Sequence, residues 1–438
     1  MVSNPLQEQV PEGYKQTEVG IIPKDWGIKS IGEFADVSSG GTPSRENKDY
    51  WNGDIPWITT TLVNGEEVDS AEQFITEKGL MNSATKWYNA GTLLMAMYGQ
   101  GKTRGKVAML GIDATINQAC AGIVVKKLLD SQFLLHYLIS TYDDIRNLSN
   151  SGGQENLSGR IIKNILVPVP EKEQQTAIAN ALSDVDALIT SLEKLIAKKR
   201  DIKTATIQQL LTGKKRLPPF NQMHTGYKQT ELGEIPEDWD VLRFSDLGSI
   251  YGGLTGKTKY DFGTGDAKYV PFMNVMSSVK VNPERLERVV LKPGEQQNLV
   301  LKGDLLFNGS SETPEEVAMC SLVVEEMADL YLNSFCFGFR LNKVVSVDGL
   351  FMAYWFRSAI GRKAIAVLAQ GATRYNIAKS AFVKLQLWLP TVDEQIAISA
   401  MLSDMDNEID ALEQRLNKTQ QLKQGMMQEL LTGKTRLI

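Results

Sequence analysis

The chain has 438 residues, of which 42% are hydrophobic and 23% charged, so it is long enough to form two hydrophobic cores. Its net charge of −5 argues against a protein that holds nucleic acid unaided through a broad basic surface. Three cysteines are too few for a disulfide framework, and no apolar run approaches the length of a membrane span. Because the sequence also starts without an export signal, we expect a soluble cytoplasmic protein with no membrane partner.

Four short motifs occur twice in the chain, in the same order. They lie at 13–18 and 226–231, at 22–26 and 235–239, at 182–186 and 402–406, and at 210–214 and 430–434. Each half has about 200 residues, which is far longer than a solenoid repeat, so the chain contains a duplicated domain pair. The segments between the outer motifs show little likeness to each other. The sequence therefore indicates a repeated frame that carries two different modules.

The two modules are predicted to be mixed domains rich in strands. Short apolar runs punctuated by glycine predict strands at 90–97, 106–110, 121–125, 303–307, 317–319 and 335–339. Helical patterns are clearer at 132–141 and 349–368. Cys120 and Cys336 have apolar surroundings, and we expect both in buried strands. The predicted fold class is therefore α+β, with a sheet and a few helices in each module.

Each half closes with a long amphipathic helix. Its apolar residues are spaced alternately by four and by three, which is typical of a helix packed along another helix. These spacer-helix seam residues are Ile178, Leu182, Val185, Ile189, Leu192 and Ile196 in the first half, and Ile398, Leu402, Met405, Ile409, Leu412 and Leu416 in the second. Pro170 and Pro390 precede the helices, and Gly213 and Gly433 follow them. Each helix should therefore have about 38–40 residues.

The seam also predicts how the two helices are arranged. A helix of this length cannot bury its seam within a compact domain of its own half, so we expect the two helices to pack on each other. The pseudo-two-fold symmetry of the duplicated chain makes that pairing antiparallel. We expect two coiled-coil helices that form a rod between two globular ends.

One enzymatic alternative is an ATPase, because residues 96–103 satisfy a relaxed phosphate-loop pattern. However, a glycine turn leads from this segment into another predicted strand at 106–110. A phosphate loop needs a helix whose N-terminus faces the anion. In addition, no later apolar strand ends in the acidic pair that would hold magnesium. The residues therefore argue against this alternative.

A stand-alone adenine-N6 DNA methyltransferase is the second enzymatic alternative, and a coiled-coil scaffold without DNA binding is a third. Leu217-Pro-Pro-Phe220 is similar to the catalytic loop of amino-methyltransferases, but the Leu217 side chain cannot accept a hydrogen bond from the target amine. His136 and His224 are far apart in sequence and lack the partners of a triad. We expect no catalytic residue and no metal site in this chain.

Further motifs lie between the repeated ones. They are Ser39-Gly-Gly-Thr-Pro-Ser-Arg45, Asp54-Ile-Pro-Trp57, Leu254-Thr-Gly-Lys-Thr-Lys259 and Tyr269-Val-Pro-Phe272. Together with the repeated motifs, and in this order, they resemble the DNA specificity subunit of Type I restriction-modification systems over nearly the whole chain. The resemblance implies two target-recognition domains joined by an antiparallel pair of spacer helices, with each domain recognising one half of a bipartite target.

The resemblance also implies partners and the location of the cofactors. The expected partners are double-stranded DNA, two modification (methyltransferase) subunits and the restriction (endonuclease/translocase) subunits. S-adenosylmethionine is expected in the modification subunits, ATP in the restriction subunits, and magnesium also in the partner subunits. The implied chain is itself non-catalytic and holds no cofactor.

The implied domain boundaries follow the repeated motifs. They give an N-terminal repeat segment at 1–26, target-recognition domain 1 at 27–165, spacer helix 1 at 166–217, a linker and repeat segment at 218–239, target-recognition domain 2 at 240–385 and spacer helix 2 at 386–438.

Reading a DNA sequence requires polar side chains that reach base edges, and cations that contact phosphates. In domain 1 the candidates are the glycine-rich loop residues Gln100, Lys102, Arg104 and Lys106, with Arg45 and Arg160 elsewhere in the domain. In domain 2 the candidates are Asn308, Ser310 and Ser311, with Lys257, Lys259 and Arg374 as phosphate contacts.

Overall fold

The computed structural model describes residues 10–99, 101–148, 156–222, 226–231, 233–344 and 346–437. The chain divides into two compact units. Unit 1 contains the residues up to Glu193 together with those from Gln414 onward, and unit 2 contains Lys194–Glu413. Both division points fall inside long helices, so each unit contains one globular domain and a part of each long helix. Among the described residues, no helix combines the length and apolarity that crossing a bilayer requires.

The elements of unit 1 alternate short strands with short helices. Its strands are β1 (Tyr14–Thr17), β2 (Gly20–Pro23), β3 (Gly27–Ser30), β4 (Ala35–Ser39), β5 (Trp51–Ile58), β6 (Glu67–Val68), β7 (Gln73–Ile75), β8 (Trp87–Tyr88), β9 (Leu93–Ala96), β10 (Val107–Leu110), β11 (Ala114–Ile116), β12 (Cys120–Val125) and β13 (Leu166–Val169). Its helices are α1 (Ile31–Phe34), α2 (Glu77–Met81), α3 (Ser131–Ser140), α4 (Tyr142–Asn147), α5 (Gly159–Lys163) and the first part of α6 (Lys172–Leu210).

Two sheets form the centre of unit 1. One has the strand order β4-β12-β9-β10-β6, and the other has the order β7-β5-β11-β8. Alternate residues of β9 belong to different cores, since Leu93 and Met95 pack with the helices while Leu94 and Ala96 pack in a second cluster. Both faces of β9 are therefore buried, which explains its continuous apolar run. The prediction that Cys120 lies in a buried strand is confirmed.

Unit 2 is built on a similar plan. Its strands are β14 (Tyr227–Thr230), β15 (Gly233–Pro236), β16 (Asp240–Arg243), β17 (Gly248–Gly252), β18 (Phe262–Val270), β19 (Glu287–Val289), β20 (Leu305–Asn308), β21 (Ser310–Ser311), β22 (Cys320–Leu322), β23 (Leu330–Leu332), β24 (Cys336–Leu341), β25 (Ala369–Gln370), β26 (Tyr375–Ile377) and β27 (Gln386–Leu389). Its helices are α7 (Phe244–Leu247), α8 (Phe272–Ser277), α9 (Gly349–Arg357), α10 (Ala359–Ala366), α11 (Lys379–Phe382) and α12 (Val392–Leu430), which continues into unit 1.

Unit 2 corrects one prediction from the sequence. The central sheets have the orders β17-β24-β20-β22 and β19-β18-β23. The run at 317–319 is not a strand, because Ala318 has a positive φ of 53° and the strand β22 begins only at Cys320. The helical pattern predicted at 349–368 is confirmed; it comprises two helices, α9 and α10, and the Ser358 hydroxyl caps the second one. Cys336 is buried at the start of β24, as predicted.

The long helices α6 and α12 have 39 residues each, as the sequence predicts. They run antiparallel within each unit. In unit 2, Lys199 of α6 lies 2.7 Å from Glu408 of α12, and Lys203, further along α6, pairs with the earlier residue Asp406. In unit 1, Asp186 of α6 lies 2.5 Å from Lys423 of α12.

The seam is buried in two different ways along each helix. Ile178 and Leu182 pack in the globular core of unit 1, and Ile398 and Leu402 pack in that of unit 2. Each helix therefore does bury the start of its seam in a domain of its own half. The later seam residues Leu192, Ile196 and Ile409 are also buried, whereas Val185, Ile189, Met405, Leu412 and Leu416 are half-buried.

The repeated N-terminal motif of each half is a hairpin that covers the end of a long helix. In unit 1 the Tyr14 hydroxyl of β1 donates to the Gly433 carbonyl, at 2.9 Å, and in unit 2 the Tyr227 hydroxyl of β14 donates to the Gly213 carbonyl, at 3.4 Å. Gly213 and Gly433 have φ of 66° and 71°. A Cβ atom at either position would lie within 2.5 Å of a proline ring of the hairpin, so only glycine fits. The repeated motifs therefore have a structural role.

Candidate nucleic-acid interface

The glycine-rich loop of domain 1 joins β9 to β10, two antiparallel strands of one sheet. Gly99, Gly101 and Gly105 have positive φ, which permits the tight turns of the loop. The Tyr142 hydroxyl of α4 donates to the Lys102 carbonyl at 2.7 Å and fastens the loop to the domain. Because a strand follows the loop where a phosphate loop needs a helix, the structure excludes the ATPase alternative.

The predicted contacts on this loop differ in accessibility. Lys102 is exposed and Lys106 is half-buried. Arg104 is buried, with 6% of its surface exposed, so its side chain does not present a surface that a duplex could touch. The burial of Arg104 argues against the prediction that this residue contacts DNA. Gln100 lies outside the described residues.

Arg45 lies in an aromatic setting that the sequence analysis did not anticipate. Its guanidinium is stacked over the Trp51 ring, 3.7 Å from the ring centroid, and lies 5.1 Å from that of Trp57. It also donates to Gln73 Oε1 at 2.7 Å. Stacking on tryptophan and the bond to Gln73 fix the orientation of an exposed cation that has five N–H donors. Arg160 is also exposed and lies in the first turn of α5, which the Ser158 hydroxyl caps.

In domain 2 the predicted loop residues are buried and form hydrogen bonds within the protein. Asn308 is fully buried, where its Nδ2 donates to the carbonyls of Ser310 and Glu316 and its Oδ1 accepts from the Met319 N–H. Ser311 is buried too, and its hydroxyl donates to the Glu316 carboxylate at 2.9 Å. Because these polar groups are already paired, the prediction that Asn308, Ser310 and Ser311 contact DNA is corrected.

Lys257 is likewise bonded within the domain. Its side chain is 3% exposed, and Nζ donates to the Val290 carbonyl at 2.7 Å and to Glu295 Oε2 at 2.5 Å. The bond from Lys257, helped by the Lys292 N–H, lowers the pKa of Glu295 to about 2. A lysine that is buried and paired in this way is not a phosphate contact, which corrects a further prediction.

Two predicted cations of domain 2 do reach the surface, and each has an exposed aromatic neighbour. Lys259 Nζ lies 5.8 Å from the ring centroid of Tyr260, which is 85% exposed. The guanidinium carbon of the exposed Arg374 lies 5.7 Å from the ring centroid of Phe335, which is 62% exposed. Arg374 Nε donates a hydrogen bond to the Ser310 hydroxyl. A neighbouring aromatic ring attracts a cation and restricts its orientation. Trp51, Tyr260 and Phe335 were missed because single aromatic residues carry no signal in sequence.

His136 lies in a buried position beside α6. It is buried, its Nε2 lies 3.3 Å from the Ser183 hydroxyl, and its Nδ1 lies 3.8 Å from Asp186 Oδ2. Burial lowers the pKa of His136 to about 4, so the ring is neutral near pH 7. His224 lies outside the described residues. Leu217 is partly buried against the core of unit 2, in keeping with a linker.

Comparison with known proteins identifies the family. The family model of the Type I restriction modification DNA specificity domain matches residues 23–202 and 236–424, once in each half. The chain is 30% identical to the Type I restriction enzyme MjaIX specificity subunit of Methanocaldococcus jannaschii, over 69% of this chain and 70% of that protein. It is 25% identical to the MjaVIII specificity subunit of the same organism, over 99% of this chain and 98% of that protein.

A solved structure shares the fold. The Type I restriction-modification S subunit from M. genitalium is similar with a TM-score of 0.58 and 12% identity, over 92% of this chain and 96% of that one. The fold class is thus confirmed as two mixed α/β domains and two long helices. Since the family model matches both halves, the chain belongs to the DNA specificity subunits of Type I restriction-modification systems, which recognise a DNA sequence and are not themselves catalytic.

Proposed function

We propose that this chain recognises a bipartite DNA target, with one recognition domain for each half-site. The domains are assigned to 27–165 and 240–385, between the repeated segments 1–26 and 218–239 and the spacer segments 166–217 and 386–438. The observation that supports this proposal is a structural frame repeated in both units that holds two different surfaces. In unit 1 the surface carries Arg45 on Trp51, and in unit 2 it carries Arg374 beside Phe335.

The proposed DNA contacts are those predicted cations that remain accessible in the structure. They are Arg45, Lys102 and Arg160 in domain 1, and Lys259 and Arg374 in domain 2, with the half-buried Lys106 at the edge of the loop. Arg45 and Arg374 are the best placed for base edges, because a guanidinium oriented by an aromatic ring and a hydrogen bond loses little conformational entropy on binding. Lys102 and Lys259 are better suited to phosphates, since an ammonium acts as a point charge.

The partners are two modification subunits, which carry S-adenosylmethionine and methylate adenine, and restriction subunits that use ATP and magnesium. The net charge of −5 supports this assignment, because an acidic chain needs partners to supply part of the grip on the phosphates.

The test is reconstitution with the modification subunit of the same system. The complex should methylate one bipartite motif, whereas either protein alone should not. Methylation by this chain alone would contradict the assignment of catalysis to the partner. Loss of Arg45 should relax a position in one half-site only, and loss of Arg374 a position in the other. If either substitution relaxed both half-sites, the assignment of one domain to each half-site would be wrong.

A further inference from the structure

A cleft lies in unit 2 where the recognition domain meets the helix pair. We call it the unit 2 cleft; it has a volume of about 610 Å³ and is lined by residues 277–282, Arg285 and Arg357 of the domain and by Lys203, Asp406 and Asp410 of the helices. Asp406 forms an ion pair with Lys203 and accepts a hydrogen bond from the Tyr354 hydroxyl at 2.6 Å. The floor of the cleft is therefore a fixed polar network.

Unit 1 contains a cleft with an equivalent floor, which we call the unit 1 cleft; its volume is about 590 Å³. Asp186 replaces Asp406 and pairs with Lys423 at 2.5 Å, and both residues of this pair are 220 positions from their counterparts. His136 takes the place of Tyr354, since each lies six residues after the aspartate that caps its helix. The two clefts therefore have the same origin in the duplicated frame.

The walls of the two clefts carry opposite charges at a position that strand pairing defines. Glu67 of β6 is paired with Met109 of β10, and Lys280 forms a bridge with Leu322 of β22. Met109 and Leu322 are equivalent, because each is paired with the first residue of the central strand, β9 or β20. Glu67 and Lys280 therefore occupy the same place in the two units, and a carboxylate in one replaces an ammonium in the other.

The remaining charges increase this contrast. The unit 2 cleft is lined by four cations, Lys203, Lys280, Arg285 and Arg357, and by two carboxylates, Asp406 and Asp410. The unit 1 cleft is lined by four carboxylates, Glu66, Glu67, Asp186 and Glu193, and by one charged lysine, Lys423.

Among the described residues, three of the four cations in the unit 2 cleft form no close ion pair with a carboxylate, and two of these three are not held by backbone carbonyls. Lys203 is paired with Asp406, and Arg357 donates to four backbone carbonyls. Lys280, in contrast, donates to the neutral hydroxyl of Ser403 at 2.6 Å. Arg285 is exposed and forms no ion pair with any residue that the structure describes. Lys280 and Arg285 are thus available to an acidic group.

We propose that the unit 2 cleft docks an acidic segment of the modification subunit, and that the unit 1 cleft cannot dock the same segment. This inference rests on the proposed function. A subunit that methylates the DNA held by a recognition domain must lie beside that domain, and the cleft lies between the domain and the helix pair. A cavity of this size fits a few side chains of a peptide.

The opposite charges have a consequence for assembly. Two copies of one modification subunit present the same surface to two clefts, of which one attracts it and the other repels it. They should therefore bind in two unequal steps. The stronger step, at unit 2, should weaken as salt is added, because its attraction is electrostatic.

The experiment is a titration of the full chain with the modification subunit of the same system, followed by native mass spectrometry and calorimetry at low and high salt. The wild-type chain should bind two copies, with dissociation constants that differ by about tenfold or more. Lys280→Glu combined with Arg285→Glu should weaken the stronger step by about tenfold and remove its salt dependence. Glu67→Lys should tighten the weaker step, so that the two constants converge.

The matched control is Lys268→Glu combined with Lys302→Glu, which changes the net charge of unit 2 equally through exposed lysines outside the cleft. It should leave both binding steps unchanged, and an equal loss in the control would overturn the proposal. Arg285→Glu alone alters one exposed side chain, so it should keep the wild-type thermal unfolding and still weaken the stronger step. Unchanged binding by this folded variant and by the double variant would also overturn the proposal.

Two other results would overturn the docking proposal and are distinguishable from each other. If the cleft variant binds both copies normally but lowers the salt dependence of DNA binding by the complex, then the cleft contacts the duplex, and the proposed function stands. If the wild-type chain binds no modification subunit at all, the proposed function itself fails.

Discussion

At the scale of single residues, accessibility decides which cations can contact DNA. Lys257 and Lys259 are two residues apart, yet the first is buried against Glu295 and the second is exposed beside Tyr260. Lys102 and Arg104 show the same contrast on the loop of domain 1. In each pair the tertiary structure thus leaves one cation accessible and buries the other, although the sequence does not distinguish them.

Lys102 provides a direct test of the loop. In the assembled methylase, Lys102→Ala should reduce the slope of log affinity against log salt by about 0.9, because one phosphate contact is lost. Lys127→Ala is the matched control, since Lys127 is also exposed but follows β12 at the end away from the loop. The measurement is binding of the target duplex over a range of salt concentrations. Equal slopes for the wild type and Lys102→Ala would show that Lys102 does not contact a phosphate and that the loop has a structural role.

His136 predicts a pH dependence of the stability of unit 1. Its pKa is about 4 when folded, below the ordinary 6.5, because burial outweighs the carboxylates of Asp186 and Asp130, and Lys423 also opposes protonation. The unfolded chain therefore binds the proton more tightly, and stability is complete above about pH 6.5 and falls as the pH approaches 4. Between about pH 7 and pH 5 the free energy of unfolding should fall by on the order of 2 kcal/mol through this residue.

His136→Tyr, which copies Tyr354 of unit 2, should remove this contribution. The measurement is urea unfolding of both proteins at several pH values, and the difference between them isolates the histidine from the carboxylates that titrate nearby. If both proteins lose stability equally as the pH falls, His136 is not the group responsible.

At the scale of elements, the same hairpin closes two helix ends with different chemistry. In unit 2, Arg216 donates to Glu394 at 2.6 and 2.8 Å and to Asp238, and the side chains of Arg216 and Glu394 are 9% and 0% exposed. In unit 1, the equivalent of Glu394 is Gln174, whose amide oxygen accepts from the Trp26 N–H instead. The equivalent of Arg216, Arg436, forms an exposed ion pair with Asp25.

This difference predicts unequal costs for the same substitution. Arg216→Ala should destabilise unit 2 by about 3–5 kcal/mol, because it leaves the carboxylate of Glu394 buried without its main partner. Arg436→Ala, the matched change in unit 1, should cost at most about 1 kcal/mol, as an exposed ion pair does. Urea unfolding together with hydrogen exchange at the ends of α6 and α12 would measure both costs. Similar losses for the two variants would contradict the assigned difference in burial.

At the scale of the whole molecule, the duplicated frame predicts that the recognition domains are exchangeable. Replacing residues 27–165 by the corresponding domain of another specificity subunit should change one half-site of the methylated motif and leave the other intact. The retained frame, with the hairpins, Gly213 and Gly433, supports folding of either domain because its contacts lie at the helix ends. Genomic methylation mapping is the measurement. A change in both half-sites would show that the two domains do not act independently.

The sequence by itself determined the features that depend on local or periodic patterns. The apolar spacing from Ile178 and from Ile398, together with the flanking prolines and glycines, predicted two helices of the observed length. The repeated motifs predicted the duplication, and their order identified the family. These features follow from residues near one another in the chain, or from near-identical repeated motifs, and both can be recognised in a single sequence.

Only the tertiary structure decided which charged side chains are exposed and which of them lie close to one another. Lys257 is buried because Glu295, 38 residues later, folds beside it, and Arg45 is oriented by Gln73 on a neighbouring strand. Glu67 in unit 1 and Lys280 in unit 2 occupy equivalent positions, and only the strand register shows that equivalence. Exposure and charge pairing depend on contacts between distant segments, and no local pattern in the sequence encodes those contacts.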